Sequence, residues 1–274
     1  MGCRHELLTS LRHPTTFLPG DLRTALRTGV CVLLVPLVLG VVSLAVATLA
    51  FLRAPRRLID PWYGAFARFA LLVGGTALEV HGLEHVDCSR PYVVVANHES
   101  DWDPIVIFGA LRGLPMRVVV KDQITRIPIL GQALLLSGNM RVVRSDSAGD
   151  ANRLRAGMAD RDPDVSILFY AEGTRSRDGS LRPFKKGAFA AALDGDLPVL
   201  PVGTAGTFTI WPPLTLRVRS GRAVVEIGRP VEVAGRDPQD RNCLRDECHE
   251  AVRRLRARAR QRLRRAGGDP GGVD

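Results

Sequence analysis

The chain has 274 residues, 46% of them hydrophobic and 24% charged, which is enough to bury a large core and excludes wholesale disorder. A formal charge of +10, from 38 Lys and Arg against 28 Asp and Glu, points to an anionic partner: nucleic acid, a phosphorylated substrate or a lipid surface. Aromatic residues make up only 5%, too few for a stacking platform for single strands, and the five cysteines contain no C-x-x-C pair, which argues against a disulfide scaffold.

From Gly29 to Leu52 there are 24 residues without a charge. As a helix rising about 1.5 Å per residue, this run exceeds a hydrocarbon core of about 30 Å. Ala45-Val46-Ala47 resembles a signal cleavage site, but the run continues past it and follows a polar lead of 28 residues, so cleavage is not expected. Pro36 and Gly40 fall inside the run and leave two forms open, a kinked span or half of a hairpin dipping into one leaflet. Residues 61–78 are apolar apart from Arg68 and carry Trp62 and Tyr63, which suits a helix at headgroup level. Arg53, Arg56, Arg57 and Arg68 outnumber Arg23 and Arg27 before the run, so the rest of the chain is expected on the cytoplasmic side of the cell membrane.

Beyond residue 80, Tyr92–Ala96, Met116–Val120, Met140–Val143, Val165–Tyr170 and Pro198–Val202 read as buried strands, with helical stretches at 104–112, 127–137, 149–160 and 185–194. The alternation predicts an α/β fold, a mostly parallel sheet flanked by helices. Leu214–Arg219 and Ala223–Ile227, about Ser220-Gly221, predict an antiparallel hairpin. Residues 241–265 lack Pro and Gly, and Leu244, Cys248, Val252, Leu255, Ala259 and Leu263 recur at spacings of three and four, the stripe of an amphipathic helix. Eight arginines between Arg253 and Arg265 suit anionic membrane lipids, and a solvated helix packed on the catalytic domain fits equally well. Deleting 253–274 is expected to leave the chemistry intact. Cys243, Cys248 and His249 read as helix residues and not as a zinc site, and His81 and His85 lie outside any metal pattern. The expected division is a membrane-associated helical region at 1–79, an α/β catalytic domain at 80–235, a basic amphipathic helix at 236–265 and a disordered tail at 266–274.

The chain lacks G-x-G-x-x-G, G-x-x-x-x-G-K-[ST] and the G-x-S-x-G nucleophile elbow. Chemistry concentrates instead in Asn97-His98-Glu99-Ser100-Asp101-Trp102-Asp103-Pro104, which leaves a predicted strand and enters a predicted helix. Asp103 either caps that helix or meets His98 across the turn, fixing the tautomer so that the other ring nitrogen takes a proton from a hydroxyl. A second cluster, Glu172-Gly173-Thr174-Arg175-Ser176, also follows a strand. Its Arg offers a planar fork for phosphate, its Gly admits backbone N–H groups to an anion, and its Glu can orient the Arg.

In these blocks the sequence resembles the glycerolipid acyltransferases. Asn97, His98, Ser100 and Asp103 match the family's N-H-x-S-x-x-D, and Glu172–Ser176 match its E-G-T-R-S. Lys121, Pro128, Gly131 and Val142-Val143-Arg144 resemble an intermediate block, and Leu200-Pro201-Val202 a late V-P-V element. Tyr170-Ala171 stand where the family usually has F-P, a change expected to reshape the acceptor pocket. The resemblance implies a single displacement: His98, held by Asp103, activates the free hydroxyl of 1-acyl-sn-glycerol-3-phosphate (lysophosphatidic acid), with another lysolipid or glycerol 3-phosphate as the alternative acceptor, and that hydroxyl attacks the thioester of acyl-CoA or acyl-carrier protein; hydrolysis of the thioester is the enzymatic rival. Arg175 with Glu172, Gly173 and Thr174 is implied to hold the phosphate, and Arg144 or Lys121 to add positive charge near phosphate or oxyanion. Neither a metal, nor a cofactor beyond the acyl co-substrate, nor a nucleic-acid partner is implied.

Overall fold

The computed structural model describes residues 20–143, 146–269 and 271. The uncharged run forms part of α1 (Gly20–Phe51), one unbroken helix with Pro36 inside it. After four linking residues α2 (Arg56–Val73) folds back along it, with Val46 of α1 packed against Ile59 of α2 and Cys31 and Val35 sharing a core cluster with Ala70 and Leu71. Of the two forms left open by the sequence, the helix pair has the shape of a hairpin. Leu22, Leu26, Val30, Leu33, Leu37, Val41 and Leu44 form an exposed stripe on α1, while Cys31, Val35 and Val46 are buried. The helix therefore lies lengthwise against the rest of the protein, one face inward and one apolar face outward.

The α/β body follows in chain order: β1 (Thr76–His81), β2 (Val93–Ala96), α3 (Asp103–Ala110), β3 (Met116–Lys121), α4 (Asp122–Thr125), α5 (Leu130–Leu136), β4 (Met140–Val142), α6 (Ser147–Ala159), β5 (Ser166–Tyr170), α7 (Gly187–Asp194), β6 (Val199–Ala205), α8 (Thr207–Ile210), β7 (Gly221–Ile227) and α9 (Arg241–Arg265). The sheet order is β1-β7-β6-β2-β5-β3-β4, parallel throughout except where β7 meets β6. Val93 and Val95 of β2 face a core shared with α7 and α9, while Val94 and Ala96 face one shared with α2 and α3. Burial on both faces explains the unbroken apolar runs of the central strands.

Two expectations are corrected here. There is no hairpin between 214–219 and 223–227: β7 pairs antiparallel with β6 and parallel with β1, and Val218 bonds through its backbone to Thr28 of α1. The missing partner was β1, whose apolar residues follow Gly74-Gly75 so closely that they read as the end of the preceding helix. The second correction concerns the deletion of residues 253–274; of the two readings of the basic helix, the packed one holds. α9 covers the predicted residues, and its whole apolar stripe from Leu244 to Leu263 is buried. Its arginines are largely engaged within the protein: Arg253 and Arg254 pair with Glu250 at 2.6 and 2.9 Å, Arg258 and Arg262 with Glu226, and Arg256 with Glu99. Deleting 253–274 would therefore uncover core.

Candidate active site

The register of three adjacent strands assembles the site. Ala96 of β2 pairs with Tyr170 of β5 and with Val202 of β6, so residues two further along each strand (His98, Glu172 and Thr204) emerge level with one another at the carboxyl edge of the parallel strands, where α/β sheets place ligands. Backbone and side-chain bonds lock the three exits together. The His98 N–H donates to Glu172 Oε1 at 2.6 Å, the Ser176 N–H to His98 O at 2.8 Å, and the Thr204 N–H to Asn97 Oδ1 at 2.8 Å.

Within this frame His98 Nδ1 lies 2.8 Å from Asp103 Oδ2. The same oxygen accepts the N–H groups of Glu99 and Ser100, each at 2.8 Å, and the Thr207 hydroxyl lies 2.5 Å from Oδ1. Asp103 is the first residue of α3 and its carboxylate turns back onto residues 98–100, so the arrangement is that of an imidazole orienter and not of a helix cap. A carboxylate acceptor fixes the proton on Nδ1 and leaves the Nε2 lone pair for a substrate proton. Asp103 is fully buried, whereas the His98 side chain keeps 14% of its surface open, sufficient for contact at the ring edge.

Glu172 does not orient the arginine, as its place in the motif had implied. Its two oxygens accept the N–H groups of His98 and Arg182, at 2.6 and 2.9 Å, which makes it the fastening between the loops. Burial pushes its carboxyl up to about 7, opposed by those same two donors. Arg175 instead pairs with Asp101, in the turn between His98 and Asp103, and retains 24% of its side-chain surface. Gly173 has φ +74°, a left-handed turn that favours glycine, and the Lys185 side chain lies over it. Thr174 is half-buried beside it. Lys121 ends β3, on the far side of β5 from His98. Arg144 falls outside the described residues.

Four contributions were not identified from sequence. Asp101 reads as one more turn residue, and Thr207 is distant in the chain. Tyr170 replaces the family's Phe and stacks on the His98 ring with centroids 4.0 Å apart; its buried hydroxyl has no hydrogen-bond partner among the described residues. Glu99 occupies the variable place of its motif yet is 1% exposed. Burial and the Asp103 carboxylate raise its pKa, with Arg256 and Arg260 opposing. Among the other histidines, His81 lies 2.7 Å from Glu79 and His85 Nδ1 lies 3.0 Å from Ile227 O.

Comparison with known proteins places the chain in a family. The family model described as Acyltransferase matches residues 77–205. The chain is 33% identical to the 1-acyl-sn-glycerol-3-phosphate acyltransferase alpha of Bos taurus over 207 residues, 73% of this chain and 70% of the relative. The Homo sapiens protein of that name is 32% identical over 65% of this chain and 63% of its own length. The crystal structure of the 1-acyl-sn-glycerophosphate (LPA) acyltransferase from Thermotoga maritima superposes with a TM-score of 0.74 at 24% identity, covering 86% of this chain and 95% of that one, which is a likeness of fold. Since the alignment with the bovine relative takes in more than two thirds of both proteins, the chain belongs to the 1-acyl-sn-glycerol-3-phosphate acyltransferase family.

Proposed function

We propose that the protein transfers an acyl chain from acyl-CoA or acyl-carrier protein to the free hydroxyl of 1-acyl-sn-glycerol-3-phosphate, giving phosphatidic acid for phospholipid synthesis. The observation that carries the reading is the His98–Asp103 pair standing beside a half-exposed arginine, a base and a phosphate fork at one sheet edge. His98 Nε2 takes the hydroxyl proton as the oxygen attacks the thioester carbonyl. The ester C–O bond forms, the C–S bond breaks, and the proton passes to the departing thiolate. His98 thus serves as base and then acid, with no covalent acyl-enzyme.

Arg175, released from Asp101, binds the acceptor phosphate with Gly173 and Thr174, while Glu172 holds the loop that carries them. Lys121 or Arg144 adds positive charge near the phosphate or the oxyanion. The reaction needs no cofactor beyond the acyl donor, and nucleic acid is not a partner.

Incubating the protein with labelled acyl-CoA or acyl-carrier protein, with and without lysophosphatidic acid, tests the reading. Acceptor-dependent phosphatidic acid is expected; free fatty acid formed regardless of acceptor would replace transfer with hydrolysis. In the same assay Arg175→Ala raises the acceptor KM about tenfold or more, the scale of one charge-assisted bond to phosphate. Unchanged KM and kcat would remove Arg175 from the site.

We further propose that the α1–α2 hairpin lies in the headgroup region of one leaflet, with the α/β body on the cytoplasmic side against anionic lipids. The exposed stripe from Leu22 to Leu44 supports this, as do Leu214 and Leu216, which are 84% and 68% exposed beside Arg217 and Arg219. A helix packed along its own domain over this length would draw that domain into hydrocarbon if it spanned the bilayer. The protein should cosediment with anionic vesicles, and Leu33→Glu with Leu37→Glu should weaken this severalfold; binding equal to wild type would count against the assignment.

A further inference from the structure

The C-terminal helix reaches the reaction centre. A Cβ on Gly203 of β6 would stand 2.3 Å from the Arg256 backbone nitrogen and 2.6 Å from the Leu255 carbonyl carbon. The glycine therefore lets α9 rest its backbone directly on the strand, beside Thr204, which holds Asn97. This approach carries Arg256 inward, where it is 5% exposed. Its Nη2 donates to Gly179 O, in the loop that follows the Glu172–Ser176 segment. Its Nε faces Glu99 Oε2 at 3.5 Å. The Thr207 hydroxyl bridges from there, 3.3 Å from Glu99 Oε1 and 2.5 Å from Asp103 Oδ1. Arg260, one turn along and 3% exposed, adds a second buried positive charge near Glu99.

We propose that Arg256 is a positioning residue of the active site: one guanidinium, delivered by α9, ties the catalytic turn through Glu99 to the phosphate-binding loop through Gly179. The chemistry suits an arginine, whose planar fork addresses a carboxylate and a carbonyl together, whereas an ammonium acts as a point charge. A buried ion pair contributes little net stability for its desolvation cost, and holding parts in register is its best-attested use. The gap between base and phosphate site matters because a displacement of about 1 Å costs on the order of 10²-fold in rate.

The inference rests on the acyl-transfer reading, and the acceptor-dependent product of the unaltered protein reports on that reading separately. In full-length protein, Arg256→Gln is expected to lower kcat at least tenfold while Arg256→Lys loses less, and Arg253→Gln on the solvent side of the same helix keeps the original rate. Glu99→Gln combined with Arg256→Gln should lose no more than Arg256→Gln alone, because both act through one link. An Arg256→Gln protein with a cooperative melt and kcat within twofold of the original overturns the proposal, as does a double variant whose loss is the product of the single losses. If the Gln variant does not fold, the Lys variant decides, since it keeps the charge but cannot hold both loops: a kcat equal to the original overturns the link.

Discussion

His98→Ala should lose acyl transfer by a factor of about 10²–10⁴ or more, the contribution of a positioned acid–base group, with lysophosphatidic acid binding and the melting transition close to those of the original. The effect falls on kcat because the imidazole acts only as the proton moves. The fold should tolerate the change: alanine loses the stacking on Tyr170 and one bond to Asp103, but the backbone N–H and carbonyl of residue 98 still fasten the loop to Glu172 and Ser176, and Asp103 keeps the N–H donors of Glu99 and Ser100 and the Thr207 hydroxyl. Turnover near the original level would remove His98 from the mechanism.

Deleting residues 253–274 should abolish folding and, with it, all activity. The cut removes Leu255, Ala259 and Leu263, each no more than 2% exposed, and uncovers Ala205 and Val224 on the sheet. Two leucines at about 1.5–3 kcal/mol each, together with unpaired Glu99 and Glu226, are comparable to the roughly 5–15 kcal/mol that keeps a domain folded. Circular dichroism melts and limited proteolysis read this directly. A truncated chain that melts cooperatively and turns over normally would show that α9 is an appendage.

The sequence carried the parts of this architecture that repeat locally. Five predicted runs became β2 to β6; β2, β5 and β6 stood out most because strands buried on both faces must be continuously apolar. The stripe on α9 was legible because its spacing follows the helical turn, but a stripe does not name what covers it, and so lipid and the catalytic domain stood as equal readings. β1 and the β7 pairing were missed because they depend on a partner distant in the chain. At the site, His98, Asp103, Glu172 and Arg175 stood out by side-chain type. Glu99, Thr207 and Arg256 did not, since only packing brings a variable motif place, a short helix and the final helix to one point. The role of Glu172 also needed coordinates, because the motif suggested an arginine partner while register put two backbone N–H groups closer.

The pairing of β1 has a consequence for how the protein comes into being. Thr76 of β1 pairs with Gly221 of β7, and the sheet order gives β1 no other strand neighbour. The first strand to leave the ribosome must wait, edge open, until nearly the whole chain has followed. Native pairings this far apart in sequence form slowly, because the entropy of closing the loop is lost before the contact is gained. With α1 and α2 preceding β1, an early hold of the hairpin on lipid would tether that waiting edge to a surface and away from other nascent chains, where an open strand invites aggregation. The helical hairpin would then guard synthesis as well as set the working address of the finished protein.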